Sequence, residues 1–269
     1  MPPEGSGFGP RGGGSSAFRS REIRREQRRI IPRNYGLNPA MIISHTHKFI
    51  FFHNPKCAGT SFRAALAPYH DDPFTFWGIF NAPYFRNVID HTHLRLWEME
   101  AQFPDIYEKT HEYNSIVFVR SPYARFLSAM SEHLKKFWPA IDIQAMTPLQ
   151  RSQTVEVFIA KIMNISRIIT DWRFIHFSPQ IWYVTLGKHQ APRHIVPMLE
   201  KNPDAFAKQG LAVLGLPDRI VPHYNPSPVD LSAALGSSAV RAFIQDFYED
   251  DFAFFRARPS LAILAEIPG

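Results

Sequence analysis

Two short apolar runs, each broken by a proline-marked turn and followed by a helical pattern, constrain this chain more than any other feature. The first is Lys48-Phe49-Ile50-Phe51-Phe52-His53, largely apolar as in a strand buried on both faces. Asn54-Pro55 ends it, and Thr60 to Leu66 has helix-forming character, with Thr60 or Ser61 near the start. The second is Ser115-Ile116-Val117-Phe118-Val119. Pro122 follows, where the first turn of a helix tolerates proline, and Phe126, Leu127, Met130 and Leu134 recur at helical spacing. Two strand-to-helix units in one chain predict an α/β fold, a three-layer arrangement with a central parallel β-sheet flanked by helices.

The rest of the chain fits one such body. At 269 residues and 45% hydrophobic composition it is long and apolar enough for a large core. Residues 1–40 read as a flexible basic tail rich in Gly, Ser and Arg, and 41–269 as a single domain. Within the tail, Ser20 to Arg29 resembles a helix. Residues 1–33 hold eight Arg against three Glu, five of the six net positive charges. The body is therefore almost neutral, which argues against a nucleic-acid surface on it. Further helices are expected at Leu94–Ala101, Val155–Met163, Pro203–Gln209 with Gly210 as its stop, and Val240–Phe247. Loops are expected at 137–152 and 222–228. No apolar run approaches the ~20 residues of a membrane helix. With one cysteine, Cys57, no intrachain disulfide can form, so a cytoplasmic location is the default expectation.

The first turn carries the chemistry. Asn54-Pro55-Lys56-Cys57-Ala58-Gly59-Thr60-Ser61-Phe62 joins a strand to a helix start. Small residues let backbone N–H groups approach an anion, the helix N-terminus favours negative charge, Lys56 adds a mobile cation, and Thr60 and Ser61 add hydroxyls. The order differs from G-x-x-x-x-G-K-[ST], since the lysine precedes the glycine and no Ser or Thr follows a Gly-Lys pair to hold magnesium. A phosphate or sulfate cradle follows from these residues. A P-loop kinase or NTPase is the alternative enzyme class, and a polyanion-binding protein using the tail is the non-enzymatic one.

This turn resembles the 5′-phosphosulfate loop of the sulfotransferases, particularly the carbohydrate (heparan/uronosyl-type) branch, which reads close to P-K-T-A-G-T-S; Cys57 stands where threonine is commoner. Phe118-Val119-Arg120-Ser121-Pro122-Tyr123-Ala124-Arg125-Phe126-Leu127-Ser128-Ala129 is similar to the same family's 3′-phosphate motif. The resemblance implies a sulfotransferase that uses 3′-phosphoadenosine 5′-phosphosulfate (PAPS) without a metal. It implies that Lys56, Cys57, Ala58, Gly59, Thr60, Ser61 and Phe62 hold the phosphosulfate end. Arg120 and Ser128 would hold the 3′-phosphate. The acceptor it implies is a hydroxyl of an oligosaccharide, glycolipid or similar carbohydrate.

A base is needed for the acceptor hydroxyl, and histidine suits it. Among twelve histidines, His91-Thr92-His93 resembles the His-x-His element of uronic-acid 2-O-sulfotransferases. His93 is then the leading base and His91 its assistant or a substrate contact. His45-Thr46-His47 is an equal pair by spacing, and Asp90 and Glu98 are fallback bases. The implied chemistry is in-line displacement at sulfur, with Lys56 stabilising the leaving group. His176-Phe177-Ser178-Pro179-Gln180 resembles a further family segment near the cleft, with Gln180 a candidate contact to nucleotide or acceptor. Leu199-Glu200 and Tyr248 to Phe252 read as structural family segments. Lys188, His189 and Arg193 are candidates for an anionic sugar or an ordinary basic loop.

Overall fold

Aromatic and β-branched residues set the sheet. The computed structural model describes residues 39–82, 87–199, 202, 205–219, 221 and 229–267. The readings of the 1–38 tail, of 222–228, of Glu200 and of a helix start at Pro203 lie outside these residues. In chain order come strands β1 (Ile42–Ser44) and β2 (Phe49–Phe52), helix α1 (Gly59–Leu66), the hairpin β3 (Ile79–Ala82) and β4 (Asn87–Asp90), and helices α2 (Leu96–Gln102) and α3 (Pro104–Lys109). Next come β5 (Asn114–Arg120), α4 (Pro122–Phe137), α5 (Pro148–Lys161), α6 (Ile165–Thr170), the short strands β6 (Thr185–Leu186) and β7 (His189–Gln190), and β8 (His194–Met198). Helices α7 (Ala205–Val213), α8 (Ser238–Phe247) and α9 (Glu249–Arg256) complete the described chain.

The main sheet has the order β1-β2-β5-β8. β2, β5 and β8 run parallel, with Phe52 opposite Val117 and Arg120 opposite Met198; β1 is an antiparallel edge. Because side chains alternate along a strand, Phe49, Phe51, Ile116 and Phe118 point to one face. There they meet Phe62 and Leu66 of α1 and Phe206 and Leu211 of α7. Ile50, Phe52, Val117 and Val119 point to the other face and meet Leu96, Met99, Phe103 and Phe255. Each fully buried aromatic of this kind contributes roughly 1.5–3 kcal/mol. The result is the expected mixed α/β architecture, a largely parallel sheet between helical layers. A third apolar cluster ties α4, α5, α6 and α8 together through Phe126, Met130, Phe158, Ile168 and Ile244.

Two helix boundaries differ from expectation for clear reasons. Gly210 does not stop α7, which runs on to Val213. A Cβ at 210 would lie 2.8 Å from the rings of both Phe62 and Phe118, so the glycine lets the helix seat against the sheet. The second helix starts at Pro148 instead of Val155, within the stretch read as loop, because Thr147 and Gln150 form a reciprocal capping box and Pro148 occupies the first turn.

Candidate functional site

The turn after β2 is built from two left-handed residues that are not glycine, Lys56 at φ 64° and Ala58 at φ 54°. Such backbone costs of order 1–3 kcal/mol per residue and persists only where its surroundings hold it. Here Asn54 Nδ2 donates to the Phe118 carbonyl at 2.9 Å and to Gln180 Oε1 at 3.2 Å. Arg125 Nε donates to the Pro55 carbonyl at 3.1 Å. These two residues lie just ahead of the Gly59 and Thr60 amides, where the start of a helix leaves amides without intrahelical acceptors. Gly59 is required by contact: a Cβ there would lie 2.1 Å from the His53 ring.

Of the seven loop residues read as ligands, the last two differ from the others. The amides of Ser61 and Phe62 return to the Ala58 carbonyl at 3.1 and 3.3 Å, and the Phe62 ring packs on Phe51 and Phe118. The cradle is thus centred on Lys56 to Thr60. Cys57 is buried, with its thiol directed to Gln180 Oε1 at 3.5 Å and the Pro55 carbonyl at 3.6 Å, so it offers backbone and not side chain.

The adjacent strand end supplies the second cation. β5 ends at Arg120, whose Nη1 donates to the Lys56 carbonyl at 3.2 Å. Ser128 is buried two turns into α4. Beside Arg120, the Ser121 hydroxyl is buried with no hydrogen-bond partner among the described residues. Gln180, read as a nucleotide or acceptor contact, is instead fully buried. It accepts from the Arg120 amide at 2.9 Å and donates to the Arg120 carbonyl at 2.8 Å, joining this strand end to Asn54 and Cys57. Arg125, also fully buried, donates to the carbonyls of Pro55, His176 and Ser178 and so fastens the loop to the 176–178 segment.

His91 and His93 part company in a single 3-10 turn, His91–His93, capped by Asp90, which accepts from the Thr92 amide. His91 is 1% exposed, bonded to Gln102 Oε1 at 2.9 Å and edge-on to Phe103. Its ring packs against the core, turned away from the His93–His176 contact. Glu98 is consumed by an ion pair with Arg95 and by the Arg95 amide, so it is no base. His93 lies in a histidine array that the sequence does not announce. Its Nδ1 donates to the His53 carbonyl at 3.2 Å, its Nε2 lies 3.3 Å from His176 Nε2, and its ring is 4.4 Å from that of His53. His176 Nδ1 is 3.8 Å from Glu132 Oε2, and the same carboxylate pairs with Lys56 and Lys136. Lys56 and His93 are therefore linked through Glu132 and His176.

Burial, then repulsion from the neighbouring cationic groups, holds His53 and His176 well below the ordinary histidine value, and burial lowers His93. Burial would raise Glu132, but His176 when charged, Lys56 and Lys136 outweigh it and keep the carboxylate ionised. Burial also lowers His91 and His133 to about 4 each. Unfolded histidines take up protons near 6.5 and these do not, so the unfolded state binds more protons between about pH 6.5 and 4. Stability should be full above 6.5 and fall as pH drops through that window. At pH 5 His91 and His133 alone should each remove about 2 kcal/mol. Urea midpoints at pH 7.5 and 5.0 check this; equal midpoints would refute it.

The other sequence candidates lie elsewhere. His45-Thr46-His47 precedes β2 and so occupies the opposite end of the strand from the cradle; His45 binds Asp72 and Tyr113. His189 and Arg193 sit near the starting edge of β8, where Arg193 bonds the His111 carbonyl and His189 stacks on His111. Lys188 belongs to the same β6–β7 hairpin. Among the described residues, no three His, Cys, Asp or Glu converge as a metal site would require, and no helix is long and apolar enough to cross a membrane.

The neighbouring ends of two parallel strands bring together the left-handed loop, Lys56 and the Arg120 guanidinium. Residues 39–256 match the sulfotransferase family, and the chain belongs to that family. It is therefore a transferase of sulfuryl groups to a hydroxyl acceptor, not a kinase or NTPase. No curated protein and no solved structure matches the chain.

Proposed function

We propose that this sulfotransferase takes its sulfuryl group from PAPS and delivers it to a hydroxyl of a carbohydrate-type acceptor, with His93 as the base. The observation that carries the reading is the contact of the Arg120 guanidinium with the Lys56 carbonyl at 3.2 Å. One doubly anionic nucleotide needs both cations within its length, and these two are neighbours. The residues fit such a group: a loop with two left-handed residues ahead of a helix start, an arginine fork suited to paired phosphate oxygens, and a buried Ser121 hydroxyl with no partner among the described residues. Lys56 to Thr60 would hold the phosphosulfate end, and Arg120 with Ser128 the 3′-phosphate. When bound, PAPS supplies a sulfuryl group open to in-line displacement.

The chain's own residues do the rest. His93 keeps its proton on Nδ1, where the His53 carbonyl accepts it, and presents Nε2 for the acceptor proton. Lys56 Nζ, parked on Glu132, is the cation that meets charge on the departing oxygen. Catalysis of this kind is chiefly positioning and electrostatics. The carbohydrate acceptor rests on the His-x-His and P-K-x-A-G-T-S resemblances. A single domain over 41–269 and a cytoplasmic site belong to the same reading, the latter on the evidence of one cysteine, buried in the loop wall.

Thermal stability tests the donor pocket without knowledge of the acceptor. Adenosine 3′,5′-bisphosphate should raise the midpoint, by the equivalent of about 2.7 kcal/mol at a hundredfold excess over Kd. ADP and AMP, which lack the 3′-phosphate, should do much less, and Arg120→Ala should erase the difference. Equal shifts with all three nucleotides would overturn the reading.

A further inference from the structure

Two imidazoles that meet through nitrogen must share something between them. His93 Nε2 and His176 Nε2 lie 3.3 Å apart. Two bare lone pairs at that distance repel, so a proton or a cation belongs there. The proton requires His176 to be protonated on Nε2. The cation requires both rings to carry their protons on Nδ1, and the surroundings of both Nδ1 atoms suit that form. His93 Nδ1 is 3.2 Å from the His53 carbonyl, and His176 Nδ1 faces the Glu132 carboxylate at 3.8 Å. A carbonyl or carboxylate behind the distal nitrogen is what fixes the tautomer of a metal-binding histidine.

The spacing agrees. Zinc–nitrogen bonds of about 2.0–2.1 Å at a tetrahedral angle put two ligand nitrogens about 3.3–3.4 Å apart. Two rings aimed at one such ion have centroids about 5.2 Å apart. A straight N–H···N bond between rings at the same nitrogen separation would put them at about 5.6 Å. The observed centroids are 5.0 Å apart, with the rings at 81°, which is the bent arrangement. The His176 side chain is 17% exposed, so an ion has a way in.

We propose that His93 Nε2 and His176 Nε2 form an exchangeable site for a divalent ion of the zinc, copper or nickel class, with its remaining positions open to water. Imidazole nitrogens select these ions over magnesium and calcium, which take oxygen ligands. Two protein donors fall short of the set that retains a resident metal. Asp90 and Glu132 favour a dication beside these rings, while Lys56, Lys136 and Arg63 oppose it. The ion therefore exchanges with the medium. Once seated, it occupies the His93 Nε2 lone pair, so bound metal and an acceptor proton exclude each other. That consequence rests on the reading of His93 as the base; the site itself does not.

The test titrates zinc chloride into the whole protein by isothermal calorimetry, with magnesium chloride as control. The unmodified chain is compared with His93→Gln, His176→Gln and the double variant. Zinc should bind and magnesium should not. Other histidines can also take up zinc, so the site is read from the component that substitution removes. Each single variant should weaken that component about tenfold or more. The double variant should lose no more than either single one, since one ion needs both rings. His111→Gln, from the stacked pair with His189, should leave the component in place. No zinc binding, binding untouched in both single variants, or losses that add in the double variant would each overturn the site. If a variant shows no thermal transition, ring ¹⁵N spectra of the unmodified protein decide. Zinc should shift two Nε2 signals and leave their Nδ1 partners protonated, and spectra without that paired shift would reject the site. No nucleotide enters the titration, so the result is separate from the donor reading. An acid limb of activity that survives in His93→Gln would move the base elsewhere and leave the zinc site standing.

Discussion

Lys56→Ala should lower turnover by about 10²-fold or more while the protein remains folded and still binds adenosine 3′,5′-bisphosphate. The comparison is clean at the backbone. Lys56 sits at φ 64°, and lysine and alanine bear the same left-handed penalty, so the loop gains no new strain. The Glu132 carboxylate keeps Lys136 and the His176 ring as partners when Lys56 is gone, so the variant leaves no isolated buried charge. What disappears is a preorganised cation beside the cradle. A charge that acts only as negative charge develops on the departing oxygen lowers kcat and kcat/KM together when removed. Single-turnover rates with saturating donor, read beside thermal midpoints, separate this from loss of binding. A rate within about threefold of normal would remove Lys56 from the chemistry.

Much of this site was legible in the sequence because it lies on contiguous segments. The cradle and the Arg120 end are each a strand, a turn and a helix start, and apolar runs punctuated by proline announce them. The parallel sheet then brings the two turns together without further information. What was not legible depends on long-range packing. Glu132 meets Lys56 across 76 residues, and His176 meets His93 across 83. One local signal for Glu132 existed: it follows Ser128 by four residues on α4 and so shares its face. His53 was in plain view at the end of β2, but its ring contacts with Gly59 and His93 appear only in the fold. His91 and His93 were indistinguishable by spacing. The 3-10 turn sends one to Phe103 and Gln102 and the other to His176. Gln180, read by resemblance as a nucleotide or acceptor contact, spends its amide on the Arg120 backbone.

The hydrogen-bond partners of His93 give the second large effect its form. The His53 carbonyl can only accept, so Nδ1 of His93 carries the proton and Nε2 holds the lone pair. A hydrogen bond across the 3.3 Å contact needs His176 to carry its proton on Nε2, while a proton on Nδ1 would turn instead to the Glu132 carboxylate 3.8 Å away. The His93 Nε2 lone pair faces His176 Nε2, the position an acceptor hydroxyl would take. His93→Gln should cost about 10²- to 10⁴-fold in kcat, the range for loss of a general base. Since burial lowers the His93 pKa, the acid limb of kcat should fall below the ordinary histidine value of about 6.5, and activity should hold at a plateau above it. That limb should vanish in His93→Gln. His176→Gln, which can still donate to Nε2, should retain most activity and keep the acid limb. His91→Gln should leave the limb in place and act on stability alone. Rates must be taken at temperatures where the acid-weakened fold is intact, so that loss of structure is not read as titration of the base. An acid limb unchanged in His93→Gln would transfer the base to another residue.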